Sequence, residues 1–153
     1  MKAIAVFSGN ISGTVRFETS STLEKVNIYI NLKGNILKKN GLHGFHIHEY
    51  GDLSDGCTSA CEHYNPFNKK HGCPGSLERH VGDLGNLKTD MYGEANYSTS
   101  DYMIMLSGEY SIVSRMLIIH EDPDDCGNGN NEESLKTGNA GKRIACAVIG
   151  YCK

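Results

Sequence analysis

His46 and His48 are one residue apart in the run Gly41-Leu42-His43-Gly44-Phe45-His46-Ile47-His48. In an extended strand that spacing puts both rings on one face and gives Phe45 and Ile47 to the other. Two neutral imidazoles on one face make half a site for copper or zinc. His120 ends the apolar run Met116 to Ile119, where a strand end can carry it in to close that site. A second group, His63, His71, His80 and Asp83, lies in a polar stretch with little periodicity. Three imidazoles and a carboxylate make a closed tetrahedral zinc set. Ordering such a stretch costs ~1–2 kcal/mol of backbone entropy per residue, which bound metal would offset. His43 has the parity of Phe45 and Ile47, so it is expected on the core side as a structural histidine bonded to backbone.

These donors need a frame. Short apolar–polar alternations recur at 3–7, 14–17, 26–32, 41–48, 93–98, 103–106, 115–120 and 143–149. No segment keeps a 3.6-residue apolar stripe for three turns. Eight short strands without helices predict an all-β fold, an antiparallel Greek-key sandwich or barrel. Two long interruptions, 49–84 and 121–142, are rich in Gly, Asp, Asn and His; connections that long need something to pin them. They are expected to be the functional loops of a single domain spanning 1–153.

Composition narrows the classes further. The formal net charge is -3, and no basic block of five or more residues occurs, so nothing favours nucleic acid as a partner. No apolar stretch approaches the ~18 residues of a membrane span. Asn10, Ser12 and Thr14 follow the first apolar run too soon for a signal-peptide core, so the expected address is cytoplasmic. Six cysteines pull the other way, because cytosolic thiols usually stay reduced; they allow fifteen full pairings, among which the sequence does not choose.

Two longer motifs carry a family resemblance. Gly44-Phe45-His46-Ile47-His48-Glu49 resembles the first signature of the copper/zinc superoxide dismutases, and Gly138-Asn139-Ala140-Gly141-Lys142-Arg143-Ile144-Ala145-Cys146 is similar to the second. Asn65-Pro66, Arg79 to Asn86, and His120-Glu121 match in order, so the resemblance runs along nearly the whole chain. It implies dismutation of superoxide anion to dioxygen and hydrogen peroxide by copper redox cycling, with zinc as the structural and tuning metal. It implies copper on His46, His48, His63 and His120, and zinc on His63, His71, His80 and Asp83, with His63 shared. His63 and Arg143 would be the residues that work on the substrate. Asp124 would join His46 to His71 from behind, and Lys136, Thr137, Glu132 and Glu133 would shape the substrate channel. The resemblance also implies a Cys57–Cys146 disulfide, a homodimer, and a copper chaperone as the source of the metal.

Several positions depart from the family pattern. Asp122 stands where many relatives carry lysine, which predicts weaker steering of the anion. Tyr50, Ser114 and Tyr151 are unusual residues near the expected dimer face. Cys61, Cys73, Cys126 and Cys152 have no usual counterpart; a Cys61–Cys73 disulfide within one loop competes with free thiols. A rival zinc set of Cys57, Cys61, His71 and Cys73 leaves the resemblance unexplained. Asp122, Asp124, Gly127 and Glu133 fall at positions one, three, six and twelve of a calcium loop, but Cys126 occupies position five and no flanking helices are expected. Against a non-catalytic copper-chaperone or metal-buffering relative, the chain keeps His120, Asp124 and Arg143 together.

Overall fold

A computed structural model of the protein describes residues 1–22 and 24–153. Among the described residues, eight strands run β1 (Lys2–Phe7), β2 (Ser12–Thr19), β3 (Val26–Lys33), β4 (Leu42–His48), β5 (Asp83–Lys88), β6 (Glu94–Asp101), β7 (Met116–His120) and β8 (Arg143–Tyr151). Their spatial order is β5-β4-β7-β8-β1-β2-β3-β6, and every pairing is antiparallel. The chain crosses between layers after β3, after β5 and again after β6, which makes the Greek key. β8 serves both layers: Arg143 to Val148 pairs with β7, and Ile149 to Tyr151 pairs with β1.

The alternation that marks the strands also builds the core. In β3, Val26, Ile28, Ile30 and Leu32 point inward while Tyr29, Asn31 and Lys33 face solvent. Each such side chain, fully buried, contributes ~1.5–3 kcal/mol. Phe45, Ile47, Leu117 and Ile119 join this core from β4 and β7. The other faces of those two strands are not in water. Met116 and Ile118 pack with Ala60 in a second small cluster, and His46 and His48 are buried beneath the long loops. Burial on both faces is why β4 and β7 carry the donors that must be dry.

Two strand expectations need correction. Residues 103–106 form no strand, although Ile104 and Leu106 are buried and Met103 and Met105 exposed as the alternation required. Asp101 Oδ1 accepts the backbone N–H groups of Met103 and Ile104, so those donors are spent on a side chain rather than a ladder. The eighth strand is β5 instead. Its short, Gly-containing run Asp83-Leu84-Gly85-Asn86-Leu87-Lys88 hides its alternation, and Gly85 sits at φ +81°. The chain also contains a one-turn 3-10 helix, Thr58–Ala60, and a four-residue helix α1, Ser134–Thr137. No helix among the described residues is long and apolar enough to cross a membrane.

Candidate metal centre

β4 supplies His46 and His48, and β7, its ladder partner, ends at His120. The loop 49–82 folds back on β4: Ile47 N–H donates to Gly82 O, and Tyr64 N–H donates to Ile47 O, both at 2.8 Å. This docking sets His63 directly opposite His48 in an isolated antiparallel bridge. Asp83, the first residue of β5, lies across from His46. The loop 121–142 closes over the same face. A methyl group on Gly44 would stand 2.5 Å from Ala140 Cβ, so only glycine admits that loop. Gly138, at φ +72°, is likewise required, since any Cβ there would collide with Asp124 Oδ1 and His71 Nε2.

The donor atoms form two groups that share one ring. Single atoms of His46, His48, His63 and His120 lie within 4.8 Å of one another, and so do single atoms of His63, His71, His80 and Asp83; all seven residues are buried. In the first group, hydrogen bonds decide which nitrogen is left over. His46 Nε2 donates to Asp124 Oδ2 (2.6 Å), His48 Nδ1 to Cys61 O (2.7 Å) and His120 Nδ1 to Gly141 O (3.1 Å). The opposite nitrogens, His46 Nδ1, His48 Nε2 and His120 Nε2, keep their lone pairs. His48 Nε2 and His120 Nε2 stand 3.3 Å apart with no proton to place between them. Buried His46 Nδ1, His63 Nε2 and His71 Nδ1 have no hydrogen-bond partner at all. Such unpartnered buried nitrogens are costly unless a proton or a metal cation satisfies them.

The second group converges on the Asp83 carboxylate. Its Oδ1 is 2.9 Å from His63 Nδ1 and 3.1 Å from His80 Nδ1, and its Oδ2 is 3.0 Å from His71 Nδ1, there without hydrogen-bond geometry. His63 Nδ1 and His80 Nδ1 are 3.3 Å apart. A tetrahedral ion with bonds of about 2.0–2.1 Å has donor–donor edges of about 3.3 Å, and these separations fall close to that value. Asp83 Oδ2 also accepts the N–H groups of Gly72 (3.0 Å) and His80 (2.8 Å), which fixes the carboxylate. His71 Nε2 donates to Asp124 Oδ1 (2.8 Å), so Asp124 ties His46 of one group to His71 of the other.

The protonation states suit cation binding. Burial, reinforced by the neighbouring His63, drives His46 and His48 well below the ordinary histidine value. Burial also lowers His63, and it lowers His120 to about 4. Burial opposes charge on Asp83 too, but hydrogen bonds from His63, His71 and His80 prevail and hold it far below the carboxylate range. His71 is the exception. Burial pulls it down, yet Asp124 and Asp83 raise it to about 9. One ring held between two carboxylates is therefore the place where a proton stands in for a cation.

A cleft of about 620 Å³ opens onto the first group, with His48, His63 and His120 in its walls. Arg143, Lys136, Thr137 and Glu133 line it as well. The Arg143 guanidinium is fixed by hydrogen bonds to Cys57 O (2.7 Å) and Cys61 O (2.5 Å), so it is aimed rather than mobile. Glu132 is not part of this lining; it reaches the cleft only through its 2.7 Å ion pair with Lys136. Glu62 does line the cleft, and the sequence reading passed over it. Its place beside His63 was the available signal. Asp122 pairs with Lys38 at 3.3 Å and joins no donor group among the described residues, so the calcium-loop spacing assembles no site.

The cysteines pair as Cys57–Cys146 and Cys73–Cys126, leaving Cys61 and Cys152 free. Of the two alternatives weighed from the sequence, the Cys61–Cys73 bridge does not form, and free thiols hold for Cys61 and Cys152 but not for Cys73 and Cys126. Cys61 is exposed and uses its backbone carbonyl to hold His48 and Arg143, while Cys73 is turned inward toward the other loop. The rival Cys-based zinc set falls with it, since Cys57 and Cys73 are both bridged elsewhere. His43 is a structural residue as expected: Lys38 N–H donates to its Nε2 and its Nδ1 donates to His120 O. Arg79, buried, forms a two-pronged pair with Asp101 (2.7 and 3.1 Å) that clamps the His80 segment to the end of β6. Nothing in local spacing announced that pair.

An eight-stranded Greek-key barrel bearing two nitrogen-rich donor groups fused through one imidazole defines a binuclear metalloprotein. The comparisons narrow the class. A family model described as copper/zinc superoxide dismutase matches residues 11–149. A Cu-Zn superoxide dismutase of Paramecium bursaria Chlorella virus 1 is 58% identical over 153 residues, 100% of this chain and 80% of that protein. One from Saccharomyces cerevisiae is 50% identical over 152 residues, covering 98% and 97%. The crystal structure of the clock protein EA4 superposes with a TM-score of 0.92 at 43% identity, covering 99% of this chain and 94% of that one. The chain belongs to the copper/zinc superoxide dismutase family.

Proposed function

We propose that this chain, acting as one unit over residues 1–153, dismutates superoxide, with copper on His46, His48, His63 and His120 and zinc on His63, His71, His80 and Asp83. The observation that carries this reading is His63, which belongs to both donor groups, with its Nδ1 against Asp83 Oδ1 and its Nε2 buried without a partner. The division of metals follows from donor chemistry. The group with a carboxylate offers three imidazoles and one carboxylate, the donor set of a closed zinc site, which suits a redox-silent ion. The all-nitrogen group borders the cleft, which suits a redox-active ion that must meet substrate.

When bound, copper supplies alternate one-electron oxidation of one superoxide to dioxygen and reduction of the next, with two protons, to hydrogen peroxide. The chain's own residues supply the rest. The substrate is a small anion and the protein carries a formal charge of -3, so a local positive field must outweigh the global one. Arg143, held by the carbonyls of Cys57 and Cys61, provides that field beside the all-nitrogen group. Lys136 adds charge at the rim, and Glu132 and Glu133 temper it. Focusing of this kind raises association rates ~10–10³-fold and weakens with salt. His63 Nε2 faces the all-nitrogen group while Nδ1 is committed to the other, so Nε2 is the atom that can hold or release a proton there. Asp124 orients His46 and His71 together.

The protein is proposed to act in the cytoplasm as a homodimer that receives copper from a chaperone. Tyr50, Leu53 and Tyr151 are at least half exposed and supply apolar surface near the expected dimer face. Metal analysis combined with a superoxide-decay assay tests the whole reading. Protein reconstituted with both metals should speed decay, and zinc-only protein should not. Full loading with both metals and no activity would overturn it.

A further inference from the structure

Cys73 stands two residues after His71, and Cys126 stands two residues after Asp124. Their disulfide spans 53 residues and joins the loop 49–82 to the loop 121–142. The contact it spans is the one between His71 Nε2 and the Asp124 carboxylate, at 2.8 and 3.0 Å. We infer that the Cys73–Cys126 bridge is a positioning staple that fixes His71 against Asp124 and keeps the zinc-side donors assembled before metal arrives. This inference rests on the metal assignment proposed above.

Three observations support it. His71 and Asp124 both lie outside the strands, so no ladder sets their separation. The backbone around Cys126 is bent to serve Asp124. Cys126 adopts φ +59°, an uncommon left-handed setting for a residue other than glycine, and there its N–H donates to Asp124 Oδ1 at 2.7 Å. A covalent tie at that residue holds a turn the free chain would leave readily. Around Cys73 the chain is tied the same way. Cys73 N–H donates to Ser76 Oγ and Ser76 N–H to Cys73 O, each at 2.9 Å, while Gly72 N–H donates to Asp83 Oδ2. The bridge therefore links two short, internally bonded segments, each carrying one partner of the His71–Asp124 contact.

The other disulfide cannot do this. Cys57–Cys146 anchors the loop near the one-turn 3-10 helix to β8, beside Arg143 and the cleft. The two bridges thus serve opposite ends of the centre: one stands by Arg143 and the cleft, the other by the zinc-side donors. A chain lacking the second bridge should keep its barrel and its cleft and lose order where His71 meets Asp124.

The test uses the full-length Cys73→Ala/Cys126→Ala variant, with Cys57–Cys146 confirmed by mass mapping. Zinc transfer to a chromophoric chelator is followed beside copper release from the same protein. Zinc release should quicken ~10–100-fold, the range found when a ligand's orienting partner is lost, with copper release changed far less. In the metal-free variant, hydrogen exchange should rise around 71–73 and 124–127 while β1–β3 stay protected. Cobalt placed on the zinc side should show an altered visible spectrum. Unchanged zinc release, or equal acceleration for both metals, would overturn the inference. Should the alanine pair not fold, the Cys73→Ser/Cys126→Ser chain carries the same test: faster zinc release with copper release little changed supports the inference, and unchanged zinc release or failure of the metal-free barrel to fold overturns it. Wild-type protein that takes up no zinc would instead refute the metal assignment.

Discussion

His46, His48 and His120 stand on β4 and β7, where ladder hydrogen bonds fix the backbone, whereas His71 and His80 stand on a segment with no ladder. The strand-borne donors need only to have their rings turned, and single hydrogen bonds to Asp124, Cys61 and Gly141 do that. The loop-borne donors need their backbone placed as well. That placement draws on the Arg79–Asp101 pair, the Asp83 carboxylate, the Asp124 link and a disulfide. The contrast suggests why the two groups differ in chemistry. A register-fixed face tolerates an open side for a substrate; a loop is held best by an ion that closes its coordination.

Arg143→Glu separates both donor groups from the approach of substrate. Turnover should fall ~10–10³-fold, most at low salt, with copper and zinc contents unchanged. Equal activity at low salt would remove Arg143 from the guiding role, and loss of metal would make it part of the scaffold.

Asp124→Asn cuts the link between the two halves. An amide offers one acceptor oxygen where His46 and His71 now use both. Zinc affinity should drop ~10–100-fold and copper affinity less, because β4 keeps His46 in place without help. Titration of each metal measures this. A larger loss on the copper side would reverse the comparison.

A different kind of effect concerns pH and the metal-free protein. His120 sits at about 4 in the folded chain, against about 6.5 when unfolded. The unfolded chain therefore takes up the proton first, and stability is lost as pH falls from about 6.5 toward 4. His71, raised to about 9, acts with the opposite sign: its contribution is complete below about 6.5 and is lost as pH rises toward 9. Denaturant unfolding across pH should show His120→Gln flattening the acid limb and His71→Gln the alkaline one. Identical slopes in variant and parent would contradict this.

The strand-borne half was more legible in the sequence than the loop-borne half. Alternation alone put His46 and His48 opposite Phe45 and Ile47, because the period of a strand is rigid. His71 and His80 had no periodicity to read, and their grouping followed only from residue type. Arg79–Asp101 joins residues 22 apart in sequence whose meeting depends on where β6 ends. Cys73–Cys126 joins two loops whose approach is set by Gly44, Gly138 and Ala140, so proximity in sequence pointed to Cys61 instead. In β5 a glycine at positive φ interrupts the alternation, and in 103–106 the alternation is intact but Asp101 takes the backbone donors. Pattern reports which faces are buried; it does not report where the hydrogen bonds go.

The sharing of His63 can be measured directly by electron paramagnetic resonance, with copper(II) on the all-nitrogen group and cobalt(II) on the other. One imidazole joining the two ions couples their spins, so the copper resonance should disappear when both metals are present at full stoichiometry and return when the cobalt is removed. A copper spectrum indifferent to cobalt would show that the ring serves one ion only.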